Sequence, residues 1–530
     1  REKPEIGPDL REGFSAWVVE VFRQHSGKPL RTYPDRGAAA IFENRYGGRD
    51  LGAKLGGASS DQSAASHRSS LFFASCIALI ATAMTFAIRG DIMGALELQF
   101  HLSKTNLGLI AGTAFWGFTI SIFIGGQLCD VFGMKRILAF AFIAHVAGIL
   151  VTVGASAVPE RAFAMLFGGT LLIGLANGFV EAAINPLVAT IYPDEKTRKL
   201  NALHAWFPGG IVIGGLLAFA FSKIGLGWQV KMMSIFLPTI VYGVIFIGLK
   251  LPATERVQSG VTTKEMYKEA FRPLFLLWVF CMLLTASTEL GPNQWIPNVL
   301  SVTAGAAGIL VLVWINGLMA LGRLFAGPVV HKLSPLGLLI ASAVLSGLGL
   351  LWMSYSTSTV AAYLSATVFA VGICYFWPTM LGVTSERFPK GGALLLGTMG
   401  AAGMLSVSIV LPIMGRINDN YTLAALKPAE TIAVLEAAAD SGIPEAESVL
   451  SNLDSRDLTE LPPGETVGAL FESKKQGVEG AADVLDPALA EGGAMSFRYV
   501  VILPCLLVVI FTALFLRDRA RGGYKIERLS

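Results

Sequence analysis

Glu181 has the most constrained setting of any charged residue in this chain. Mostly apolar residues run from 162 up to it, and about ten more follow before Pro193. If this stretch is a membrane helix, the carboxyl cannot easily reach water. A charge at membrane depth costs ~3 kcal/mol or more, and a protonated carboxyl is far cheaper to hold there than an ionised one. Loading a proton from one side and releasing it to the other is what a proton-coupled carrier requires. Arg89 and Asp91 follow an apolar run from Leu71 to Ile88. Two positions apart on a helix means about 200° of rotation, so both face one cavity only if Gly90 loosens the backbone. Glu289 opens the run Glu289-Leu290-Gly291-Pro292-Asn293-Gln294-Trp295-Ile296-Pro297. There Asn293 and Gln294 offer the paired donors and acceptors that hydroxyl-rich solutes need. Trp295, with Phe376 and Trp377, could present apolar faces to a sugar ring. Arg323 reads as the end of a helix beside His331 and Lys332 and is not expected to be a ligand.

These residues sit in a chain of 530 residues that is 53% hydrophobic and only 15% charged, with mean hydropathy +0.60. Soluble chains carry about a quarter charged residues. This shortage, with 58 glycines, implies an all-α polytopic membrane protein whose helices approach closely. Apolar runs give twelve expected spans, near 70–92, 106–129, 136–154, 162–191, 200–222, 232–250, 273–296, 306–330, 336–355, 360–384, 392–415 and 496–516. A polar connection at 251–272 divides them into six-helix halves, 70–250 and 273–516. Residues 1–69 read as a polar cytoplasmic extension and 517–530 as a basic cytoplasmic tail. The long loop 417–495 holds 15 acidic and 4 basic residues and reads as a short helical or partly ordered cap, not a separate domain. Basic residues cluster in loops on one side, which makes that side cytoplasmic, with both termini inside a bacterial-type plasma membrane.

Net charge is +3 and the basic residues are scattered, which argues against nucleic-acid binding. Five cysteines without a CxxC pair indicate neither a disulfide framework nor a metal site. The absence of G-x-x-x-x-G-K-[ST] removes ATP as energy source, and no nucleophile–base pair suggests an enzyme. No cofactor is expected, a proton gradient being the energy source, and the partners are a small solute, protons and lipid, with no obligate protein partner.

The loop Gly126-Gln127-Leu128-Cys129-Asp130-Val131-Phe132-Gly133-Met134-Lys135-Arg136 resembles the signature loop of the major facilitator superfamily, G-x-L-a-D-r-x-G-r-k. Gly126, Leu128, Asp130, Gly133 and Lys135 carry the likeness, with Arg136 next in the loop, while Val131 and Met134 replace two basic positions. The resemblance implies two pseudo-symmetric six-helix bundles, with this loop clasping neighbouring helix ends as the halves rock. Within the superfamily, Glu181-Ala182-Ala183-Ile184-Asn185-Pro186 and the later Lys199-Leu200-Asn201-Ala202-Leu203-His204 resemble the fucose and glucose/galactose permease branch. That likeness implies Glu181 and Asp91 as the acids of proton coupling, with Asn185 and His204 at the solute site. His204 stands where fucose permeases have glutamine, and Arg89 replaces a neutral residue.

The expectation is a proton symporter for a neutral sugar-like solute. The alternatives are a carrier of a small organic anion with Arg89 as counter-charge, and a non-transporting sensor or scaffold on the same fold.

Overall fold

The computed structural model describes residues 50–100, 104–306, 308–452 and 463–529. The chain divides into two units, Arg1–His67 and Arg68–Ser530, and the second carries the helical bundle. The extension expected over 1–69 lies mostly outside the described residues. The first half of the bundle contains α1 (Asp50–Phe100), α2 (Lys104–Phe132), α3 (Met134–Gly154), α4 (Ala162–Ile191), α5 (Lys196–His204), α6 (Trp206–Lys223), α7 (Trp228–Met233) and α8 (Phe236–Gly248). Two short helices, α9 (Glu255–Gln258) and α10 (Thr263–Ala270), form the connection. The second half contains α11 (Pro273–Thr303), α12 (Gly308–Leu324), α13 (Ala326–Met353), α14 (Thr359–Ile373), α15 (Phe376–Arg387) and α16 (Gly392–Ala425). It closes with α20 (Ala481–Val500) and α21 (Ile502–Ala520), after α17 (Pro428–Asp440), α18 (Pro444–Ser451) and α19 (Pro463–Lys475).

Among the described residues, 11 helical segments are long and apolar enough to cross a membrane. The eighth of the twelve expected spans is the shorter apolar segment Leu310–Leu324, which ends at Phe325 instead of running to 330. The basic pair then lies at the start of α13, which breaks at Ser334 (φ 60, ψ 159) before Pro335.

Prolines shape the middle of the bundle. A proline has no N–H to offer the carbonyl four residues before it, and a freed carbonyl away from water needs another donor. Pro186 frees the carbonyl of Ala182, which the Cys129 thiol takes at 3.3 Å. Pro208 frees His204, where the chain breaks at Ala205 between α5 and α6. Pro378 frees Cys374, where it breaks between α14 and α15.

The two halves meet on the face that carries the signature loop, here called the basic face. Thr197 donates through its backbone N–H (3.2 Å) and its hydroxyl (2.7 Å) to Glu386 Oε1. Lys196, buried, donates to Glu255 Oε2 at 2.6 Å and to the Ser385 carbonyl at 3.2 Å. Deeper in, Asn201 Nδ2 donates to Thr379 Oγ1 at 3.3 Å. Gly126 makes the close approach of α2 to α16 possible, because a Cβ there would stand 2.5 Å from the Ala393 carbonyl. The tail folds under this contact. Tyr524 donates to Glu386 Oε2 at 2.6 Å, and Arg528 pairs with Asp194 at 2.8 Å.

The segment 417–495, expected as a short helical or partly ordered cap, packs more fully than that. Its described part is helical and has a core of its own, in which Leu423, Ile432, Leu435, Ile443, Leu470 and Leu485 are buried together. Most of its described acidic residues are exposed on short helices whose apolar positions converge, a pattern that net composition conceals.

Candidate functional site

Glu181 lies on α4, 2% exposed, and its Oε2 accepts from Asn185 Nδ2 at 3.5 Å, one helical turn on. Asn185 Oδ1 in turn accepts from His204 Nε2 at 2.9 Å, which places the imidazole proton on Nε2. Among the described residues no cation lies within ion-pair distance of Glu181. Glu289 on α11 faces this group from the other half and pairs through Oε1 with Arg323 Nη2 at 2.8 Å, both side chains being at most 5% exposed.

Arg323 corrects the sequence reading. It sits in the last turn of α12, as expected, but its side chain is a buried cation bonded to both halves. Besides Glu289, it donates from Nε to the Cys374 carbonyl at 2.5 Å and from Nη1 to the His204 carbonyl at 3.1 Å. These are the two carbonyls that Pro378 and Pro208 leave without a helical donor. The chain Glu181–Asn185–His204–Arg323–Glu289 therefore crosses from one half to the other. Around it, Glu289 Oε2, Asn293 Oδ1 and Trp377 Nε1 are buried atoms with no hydrogen-bond partner among the described residues.

The structure assembles only some of the expected site. Asn293 donates through Nδ2 to the Glu289 carbonyl at 2.9 Å, and Phe376 and Trp377 are buried in the same half. Gln294 is exposed, and Trp295 packs near Gly415. Asp91 is not near Glu181. It pairs with Lys231 at 2.6 Å, on the side away from the basic face. Asn177 Nδ2, one turn from Glu181, donates to Thr85 Oγ1. At 1.5 Å of rise per residue, Asp91 is then about 15 Å and Arg89 about 12 Å from Glu181 along the axis. The Arg89 guanidinium lies over the rings of Phe86 and Phe115 at 4.8 and 5.6 Å. Among the described residues its Nη1 has no hydrogen-bond partner, and the side chain borders a small cavity with Thr85, Thr152 and Thr170.

A second polar chain, absent from the sequence reading, joins four helices of the first half. Tyr242 and Asn177 hold the two nitrogens of His145 at 2.9 and 2.8 Å, and Asn177 continues to Thr85 at 2.9 Å. A lone histidine midway along an apolar run was the available signal.

The signature loop is anchored at both ends. Gly133 takes φ 83, a conformation natural to glycine, and turns the chain from α2 into α3. Asp130 Oδ2 accepts from Arg256 Nε at 2.7 Å and its other oxygen accepts from Thr254. Lys135 donates to the carbonyls of Ile247 and Leu249 at 2.8 and 3.0 Å, at the C-terminal end of α8. Arg136 bonds the Phe132 carbonyl at 3.2 Å. The loop thus ties α2 and α3 to α8 and to the connection between halves.

Two bundles of apolar helices, a charged network crossing between them and this loop define a membrane transporter. The sequence profile of the Major Facilitator Superfamily matches residues 71–411, and the chain belongs to that family. It is 23% identical to the cis,cis-muconate transport protein of Acinetobacter baylyi over 62% of this chain and 84% of that one. It is 21% identical to the gentisate transporter of Corynebacterium glutamicum over 66% of this chain and 83% of that one. The solved fucose:proton symporter of Escherichia coli shares the fold at TM-score 0.56 and 13% identity, covering 82% of this chain and 98% of that one. The chain is an integral membrane transporter and not an enzyme.

Proposed function

We propose that this chain is a proton-coupled carrier of a small organic acid, with Glu181 holding the proton. The observation that carries the reading is Glu181 itself, a buried carboxyl without a cationic partner, linked through Asn185 and His204 to the Arg323–Glu289 pair of the other half. Such a group is cheap to hold when protonated and costly when ionised, so its proton occupancy favours some conformations over others. The acid class is supported by Arg89, whose unbonded Nη1 on the far side from the basic face offers a counter-charge to an arriving carboxylate. It is supported further by the names of the relatives, a muconate and a gentisate transporter. By the positive-inside rule, the basic face and both termini lie in the cytoplasm of a plasma membrane.

A neutral sugar-like solute is the second reading. Its support is the unpartnered Trp377 Nε1 and Asn293 Oδ1, one donor and one acceptor that a diol could satisfy.

Uptake of radiolabelled carboxylates and sugars into proteoliposomes, with wild type and Arg89→Gln, separates the two. Carboxylate uptake that falls more than about 20-fold in the variant, the weight of a lost charge-assisted bond of about 2 kcal/mol, supports the acid reading. Sugar uptake with unaltered affinity in Arg89→Gln supports the second. No uptake of either class by the folded protein supports a sensor on the same fold.

A further inference from the structure

We propose that Arg323 is a latch that holds the two halves together at the centre of the bundle through a carbonyl that Pro208 leaves free. Two of its three partners, Glu289 Oε1 and the Cys374 carbonyl, belong to its own half. The third, the His204 carbonyl, belongs to the other. When the halves rock apart at the basic face, the guanidinium keeps the first two partners and gives up the third. In a continuous helix the N–H four residues on would share the His204 carbonyl, and the guanidinium would hold a weaker, second bond to it. Residue 208 is a proline, so that N–H does not exist. The missing N–H leaves that carbonyl free of helical competition for the arginine. Arg323 is 2% exposed, so water is poorly placed to replace the lost acceptor, and the bond bears directly on the balance between closed and open states. His204 also bonds Asn185 beside Glu181, which puts the latch one residue from the buried carboxyl. The inference rests on the fold and holds whichever solute is carried.

Pro378 supplies an internal control. It frees the Cys374 carbonyl for the same arginine, but that bond lies within one half. Spin labels at the exposed positions Asp194 and Lys390, in a Cys505→Ser background reconstituted in lipid nanodiscs, report the opening of the basic face by pulsed EPR distances. Pro208→Ala returns an N–H to compete for the His204 carbonyl. The expected result is a fall of about tenfold in the closed-to-open ratio, the equilibrium weight of one hydrogen bond to a charged group. Pro208→Ser restores the same N–H and should behave alike. Pro378→Ala should stay within about twofold of the parent. Unchanged ratios in both Pro208 variants would overturn the latch. So would equal shifts from Pro208→Ala and Pro378→Ala, which would assign the effect to general helix stiffening.

Discussion

At the residue scale the account turns on two buried carboxylates that have different company. Among the described residues, Glu181 has only Asn185 within hydrogen-bond reach, whereas Glu289 is held by Arg323. Glu181→Gln mimics the protonated form permanently. It should abolish concentrative uptake while leaving solute exchange within a few-fold of wild type. Accumulation against a gradient by this variant would remove Glu181 from the coupling role. Arg323→Gln leaves Glu289 as an uncompensated buried charge and should cost about 3–5 kcal/mol of stability. Adding Glu289→Gln should recover much of that loss, as read by thermal unfolding in detergent. A double variant no more stable than the single would show that the pair is not the source of the cost. Glu181 was legible from sequence because a long apolar stretch surrounds it. Arg323 satisfied much the same criterion, with apolar residues from Ile309 to Leu321 before it, but nearby basic residues drew it into a loop assignment. What sequence could not show is that its partners are backbone carbonyls freed by prolines in two other helices.

At the element scale, close approach and the tail set the strength of the basic-face seal. Gly126→Val would push a side chain into the Ala393 carbonyl and force α2 from α16. A cysteine at Thr197 should then react several-fold faster with an impermeant thiol reagent, and an unaltered rate would mean that the helices already separate there. Removal from water, and next the Glu386 carboxylate, hold the Tyr524 phenol well above its ordinary value. The neutral phenol is the donor to Glu386. Its stabilisation is therefore complete below the ordinary tyrosine range of about 10 and fades as pH rises through the higher folded-state value. Tyr524→Phe should lower the melting temperature at neutral pH and flatten the alkaline part of the profile, and identical profiles would exclude a role for the tail. The spans were readable from apolar runs because lipid demands them. The breaks at Ala205 and Cys374–Tyr375 were not, since a proline in a membrane helix can be absorbed in line, as Pro186 is in α4.

At the scale of the whole molecule, twelve passes and a sealed basic face leave the segment between α16 and α20 as a separate packed element away from the seal. Replacing residues 428–479 by a short flexible linker should leave transport largely intact, since the cost of closing a loop varies only with the logarithm of its length. Loss of solute binding in a variant that still folds would assign this segment to the site. Helices were expected there, but a core of their own was not, because acidic residues dominate its charge while its apolar positions meet only after folding. If Glu181 carries the proton, solute movement is coupled to the proton gradient. The most direct measurement is the steady-state level of a transported carboxylate in proteoliposomes with an acidic exterior, with and without a protonophore. The account predicts internal solute above the external concentration, falling to equality when the protonophore collapses the gradient. Equal concentrations reached in both conditions, at a rate indifferent to pH, would contradict it.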